Sequence, residues 1–209
     1  MKPSRICSIN LSLIIFTLVF LGFMLSASAD EEASKSDLPK GKQTSLELYV
    51  TAAEAYDKWL AAPDEVKVLD VRTLEEYLYV GHAPMAWNIP LATQSHEWDA
   101  GKGYFTFQPN PDFISQVKEV AAPNDTILVM CRSGGRSAKA VNLLAQNGFT
   151  NVYQVTDGME GDAVKDPNSP VHGQRLVNGW KNSGAPWTYK PDIEKIKLTS
   201  VEEGVVDKP

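Results

Sequence analysis

Cys131 is followed at once by Arg132, Ser133, Gly134, Gly135, Arg136 and Ser137, which puts a sulfur nucleophile, two cations and two residues without side chains into one short stretch. A thiol reacts as its thiolate, and that form is favoured beside cations and converging backbone amides. The glycines let the chain curl with few steric limits, so that successive amides point inward around the sulfur. The pattern describes an anion-stabilising loop built around a nucleophile. A buried structural cysteine is the plainer alternative, since free cysteine is among the most buried residue types. Two arginines and two glycines directly behind it argue against that reading.

The flanking sequence says how such a loop is held. Residues 126–130 (TILVM) form a short apolar run of the kind buried on both faces of a parallel sheet. Beyond the loop, Ala138, Val141, Leu144 and Ala145 recur at helical spacing as far as Gln146, with Ser137 as the expected N-cap and Gly148 as the stop. The helix start adds its own positive end to the site. A loop between the carboxyl end of a strand and a helix is where open α/β sheets place their ligands.

At 209 residues the chain has room for one domain of ordinary size with an extension. Residues 1–29 read as a secretory signal peptide. Lys2 and Arg5 lead an apolar stretch at 9–25, and Ala27-Ser28-Ala29 is a small-x-small cleavage site. The expected location is therefore the periplasm or the cell exterior; an uncleaved signal would instead leave a membrane anchor with the domain facing outward. The formal net charge is −6, and losing the signal removes two cations and no carboxylate, so neither nucleic acid nor an anionic membrane surface is an expected partner. Cys7 leaves with the signal. The single remaining cysteine, Cys131, has no internal partner for a disulfide.

Taken in order, residues 30–44 read as a polar linker and 45–50 as a first edge strand. Thr51 opens a helix with a capping-box pattern to Glu54, running to about residue 61 with Ala55, Trp59 and Leu60 facing inward. A strand at 66–71 carries Asp70 and is followed by Arg72; Thr73 and Glu76 then form a second capping box for a helix ending near Gly81. Residues 86–90 are a short strand. Residues 91–108 look irregular and are rich in aromatics, with His96, Trp98, Tyr104, Phe105 and Phe107, which suits a functional loop. Asn110 as N-cap and Pro111 at the first helical position start a helix to about residue 120. After the central strand, loop and helix come a last strand at 151–155, a loop at 162–171, a helix at 174–182 and a loosely ordered tail from residue 190. Alternating strands and helices predict an α/β domain with a mainly parallel sheet.

Three segments in this order resemble the rhodanese (sulfurtransferase) domain family: VLDVRTLEEYLYVGHAPMAWNIP at 68–90, VMCRSGGRSAKAVNLLAQNGFTNVYQVTDGMEG at 129–161 and GWKNSGAPW at 179–187. The resemblance spans about residues 45–189 and implies a small parallel sheet flanked by helices on both faces. It further implies that Cys131 takes a sulfane sulfur from a small anionic donor such as thiosulfate, carries it as a persulfide, and passes it to a thiol or other thiophilic acceptor, small molecule or protein. Arg132, Ser133, Gly134, Gly135, Arg136 and Ser137 would bind the donor, and Asp70 with Arg72, matching the family's Asp-x-Arg, would support the loop as a buried acid–base pair. No cofactor is expected. Few histidines and one mature cysteine argue against a metal site; His82 reads as a hydrogen-bonding structural residue, His96 and His172 as exposed, and Trp180 and Trp187 as packing residues.

Two departures from the compact family pattern stand out: the aromatic segment at 91–108 is long, and residues 162–178 are inserted after the Gly-Met-Glu-Gly turn. The insertion suits either an overhang above the site or a surface embellishment. An oxyanion phosphatase or arsenate reductase is a competing function, but only four residues separate Cys131 from Arg136, one fewer than the phosphatase cradle has. A non-turnover persulfide carrier or partner-binding module is the other alternative.

Overall fold

A computed structural model describes residues 38–199 of the chain; the expected signal at 1–29, part of the linker and the end of the tail lie outside the described residues. The core elements are β1 (Tyr49–Val50), α1 (Ala52–Ala61), β2 (Val66–Asp70), α2 (Leu74–Val80), β3 (Trp87–Asn88), a hairpin of β4 (Ala92–Asp99) and β5 (Tyr104–Pro109), α3 (Phe113–Val120), β6 (Thr126–Met130), α4 (Gly135–Gln146) and β7 (Val152–Val155). Five strands form one sheet in the order β1-β7-β6-β2-β3, with every pairing parallel.

The continuous apolar character of β6 has a simple origin. Side chains alternate across a strand, and here both sides are covered. Ile127 and Val129 pack with Phe113 and Val117 of α3 and Val141 and Leu144 of α4. Leu128 and Met130 face the opposite way, onto Ala52 and Ala55 of α1 and the indole of Trp180. Helices thus close both faces of the sheet, as the resemblance implied.

Both capping boxes form. Thr51 accepts from the Glu54 amide and Thr73 from the Glu76 amide, while each glutamate reaches back to the cap residue's own amide. Ala55 is buried as expected, but Leu60 is exposed, because it lies on the far side of α1.

Four further expectations, about the hairpin, α3, the insertion and the tail, need correction. Residues 91–108 are not irregular: they fold into the antiparallel β4–β5 hairpin, turned at 99–103 where the Asp99 carboxylate accepts from the Gly101 and Lys102 amides. The alternate positions that β4 buries are the polar Thr93 and Ser95, so the usual apolar strand signal is missing. Helix α3 begins at Phe113, two residues beyond Pro111; the Asn110 side chain caps a turn at the Asp112 amide instead. Residues 174–182 form no α-helix. Arg175 bridges Ala163 across the insertion, Asn178 holds the Asp162 amide through its side chain, and only residues 180–182 make a helical turn, of the 3-10 type. Last, the tail up to residue 199 is docked. Ile196 pairs in parallel with Asn88 at the β3 edge, the Lys197 amide donates to the Asn88 carbonyl at 2.9 Å, and Gln116 donates to the Leu198 carbonyl.

Candidate active site

Parallel pairing brings the carboxyl ends of β2 and β6 side by side: Asp70 stands opposite Met130, and the Val71 amide donates to the Met130 carbonyl at 2.9 Å. Cys131 therefore leaves the sheet beside the Asp70–Arg72 turn. Cys131 is buried, with 2% of the residue exposed. The Gly134 amide donates to Sγ at 3.2 Å, and the thiol donates to Ser137 Oγ at 3.7 Å. Ser137 Oγ in turn donates to the Gly134 carbonyl.

Ser137 is thus not the N-cap of α4. That position belongs to Gly134, at φ 99°, and the helix starts earlier than the sequence suggests, so Ser137 lies within its first turn under the sulfur. The left-handed conformation and the space both demand glycine: a Cβ on Gly134 would run into the Thr156 carbonyl. Gln154, wholly buried on β7, donates to the Gly134 carbonyl at 2.9 Å and props the loop from below.

A second turn supports the first. The Met159 amide donates to the Cys131 carbonyl at 2.8 Å and the Glu160 amide to the Arg132 carbonyl at 2.9 Å. Gly158, at φ 65°, makes this contact possible, because a Cβ there would strike the Cys131 carbonyl. Asp157 ties the same turn to two other elements, accepting from the Ala52 amide at the start of α1 and from the Gly179 amide, each at 2.8 Å. Burial pushes its carboxyl up from the ordinary value, against the pull of those amides.

The two loop arginines differ. Arg132 is exposed. Arg136 is clamped by Glu76 of α2 through two hydrogen bonds of 2.6 Å, and its guanidinium carbon stands 5.7 Å from the centre of the Phe107 ring. Burial alone would raise the Glu76 carboxyl, but Arg136 and the Thr73 amide outweigh it and hold it below its usual range. The charge of Arg136 is therefore matched by Glu76, whereas Arg132 has no carboxylate partner among the described residues.

Asp70 and Arg72 form the expected buried pair. Both side chains are fully enclosed, with Nη2 to Oδ2 at 2.6 Å and Nε donating to both carboxylate oxygens. Arg72 also donates to the Gly81 carbonyl, so the pair fastens both ends of α2 next to the loop. His82 stacks on Tyr77 with ring centres 3.7 Å apart, its Nδ1 at 3.0 Å from the Tyr77 carbonyl, while His96 and His172 are exposed. Trp180 is fully buried and Trp187 half-exposed over Gly81. Among the described residues no cluster of His, Cys, Asp and Glu side chains has metal-binding geometry.

A cavity of about 850 Å³ opens beside the loop. Its walls come from the β4–β5 hairpin and from Glu76, Arg132, Arg136 and Lys139, and the 162–178 insertion contributes nothing to it. That insertion borders a separate cleft, with Glu160 and Lys181. Nothing local in the sequence marks Glu76, Asp157, Gln154 or Gly158 as site residues. Glu76 was legible only as a helix cap, since its partner is 60 positions away.

The rhodanese-like domain family model matches residues 52–163. Among curated proteins, thiosulfate sulfurtransferase 16 of Arabidopsis thaliana is 38% identical over 109 residues, covering 52% of this chain and 81% of the plant protein. An uncharacterised protein of Rickettsia conorii is 31% identical over 145 residues, covering 67% of this chain and 96% of its own. Among solved structures, Rv0390 from M. tuberculosis superposes with a TM-score of 0.54 at 24% identity, over 68% of this chain and 97% of that one, which bears on the fold.

Proposed function

The chain belongs to the rhodanese-like domain family, and on that premise we propose that it is an exported sulfurtransferase that moves a sulfane sulfur from an anionic donor to a thiophilic acceptor through a persulfide on Cys131. The observation that carries this reading is the Gly134 amide directed at Cys131 Sγ at the head of α4, inside a loop held from below by Gln154 and by the 157–161 turn. Such a loop stabilises sulfur anions without a separate general base. The plant sulfurtransferase relative supports the same class of chemistry.

With thiosulfate as donor, the Cys131 thiolate attacks the outer sulfur. The new Sγ–S bond forms as the old S–S bond breaks, and sulfite leaves with the electron pair. Arg132, exposed and unmatched by a carboxylate among the described residues, draws the donor anion. Ser137 Oγ, 3.7 Å from the sulfur, turns its hydrogen from the Gly134 carbonyl to the persulfide. A thiophile then attacks the outer sulfur and returns the electron pair to Sγ. Asp70, Arg72 and Glu76 position the loop without touching the reacting atoms.

Thiocyanate production from thiosulfate and cyanide tests the turnover. The wild type is expected to produce it and Cys131→Ser to produce none; a Cys131→Ser protein as active as the wild type would end the proposal. Export is tested separately, by whether the first residue of the protein recovered from the cell envelope is Asp30.

A further inference from the structure

The aromatic residues of the hairpin do not bury themselves. Trp98, Tyr104, Phe105 and Phe107 are 43–57% exposed; Trp98 and Phe105 stand edge to face at 5.2 Å between ring centres, and Phe107 lies against the Arg136 guanidinium. They form one wall of the cavity beside the Cys131 loop. Its volume, about 850 Å³, lies in the range of small-molecule sites and its shape is concave, which favours a small ligand over a flat protein contact. The same cavity is also lined by Arg132 and Lys139, both exposed and neither matched by a carboxylate among the described residues. Arg136, the third cation on the wall, is already satisfied by Glu76. Apolar rings and two unmatched cations in one cavity complement a molecule with an apolar body and an anionic head.

We infer that this cavity is the acceptor site, and that the acceptor is a small thiol with an aromatic or comparably apolar body and a carboxylate. The inference rests on the sulfur-transfer reading of Cys131. Its body lies against Trp98, Phe105 and Phe107, and its carboxylate lies toward Lys139 and Arg132. Its thiolate attacks the outer sulfur of the Cys131 persulfide, forming the new S–S bond of the acceptor persulfide. The Sγ–S bond breaks, and its electron pair returns to Cys131. The donor, a small dianion, needs only the loop and Arg132; the hairpin selects what takes the sulfur away.

The test uses protein loaded with thiosulfate and freed of donor, with loss of the extra sulfur followed by intact mass. Three acceptors are compared: 4-(mercaptomethyl)benzoate, its cationic benzylamine counterpart, and 2-mercaptoethanol. The benzoate is expected to discharge the persulfide about tenfold faster than either of the others, and 4-methylbenzoate to slow that discharge competitively. Trp98→Ala and Lys139→Glu are each expected to shrink the ratio of benzoate to 2-mercaptoethanol rates, a ratio formed within one protein and so insensitive to a shared loss of folded material. Equal rates with all three acceptors on fully loaded protein would overturn the acceptor site and leave sulfur transfer standing; that is the pattern expected if a macromolecular partner covers the hairpin instead. Failure to load at all would overturn the sulfur-transfer reading beneath it.

Discussion

Glu76 and Arg136 meet through two parallel hydrogen bonds of 2.6 Å, joining the first turn of α2 to the first turn of α4 across 60 residues of chain. The same carboxylate also receives the Thr73 amide, so one side chain caps a helix and fastens the Cys131 loop. Each member of the pair is less than one quarter exposed, which spares it most of the solvent screening that weakens surface pairs.

This geometry predicts strong coupling between the two side chains. In a double-mutant cycle of Glu76→Ala and Arg136→Ala followed by urea unfolding, the interaction energy is expected at about 1–2 kcal/mol. Additive effects would mean that the clamp contributes nothing to the fold.

The acid limb of stability follows from the same carboxylate. Glu76 titrates below its unfolded value, about 4.3, so its stabilisation is full above that value and is lost as pH falls through the lower folded value. Asp157 works in the opposite sense: its folded value is raised, so its contribution favours the fold at low pH and is lost as pH rises through that raised value. Glu76→Gln is therefore expected to flatten the loss of stability between neutral pH and about pH 3, measured by urea midpoints. A curve parallel to the wild type would refute this assignment.

Gly134 and Gly158 carry the backbone of the site. Alanine at either position meets a carbonyl oxygen and an unfavourable φ together, and each substitution is expected to cost about 1–3 kcal/mol and to impair sulfur loading. Gly173 is the control: it also has positive φ, but a Cβ there meets nothing within 4 Å, so its alanine variant isolates the backbone cost from the clash. Equal losses at all three positions would remove close packing from the explanation.

Asp70→Ala would leave the Arg72 guanidinium buried and uncompensated. The expected loss is about 3–5 kcal/mol, seen as a lower urea midpoint. A loss below about 1 kcal/mol would contradict the enclosed pair.

Where local chemistry dominated, the sequence was a sufficient guide. The capping boxes at Thr51 and Thr73, the apolar run of β6, and the pairing of Asp70 with Arg72 all depend on residues close together in the chain. What escaped depends on tertiary contact. The hairpin strands carry aromatics toward a cavity rather than a core, and the alternate positions that β4 buries are the polar Thr93 and Ser95, so the apolar alternation of a half-buried strand is absent. Gly134 takes the N-cap position because Gln154 and Thr156 of a distant segment press on it, a constraint invisible beside the good capping residue Ser137. The expected helix at 174–182 is overruled by the Ala163–Arg175 bridge and by Asn178 at its base. Arg136 looked like a free anion ligand because nothing near it in sequence reveals Glu76.

The central claim is that Cys131 carries a transferable sulfur, and intact mass before and after thiosulfate tests it most directly. The wild type is expected to gain one sulfur atom that cyanide removes as thiocyanate, and Cys131→Ser to gain none while unfolding at the same urea concentration. A wild type that gains no sulfur, or a serine variant that gains as much, would contradict the account.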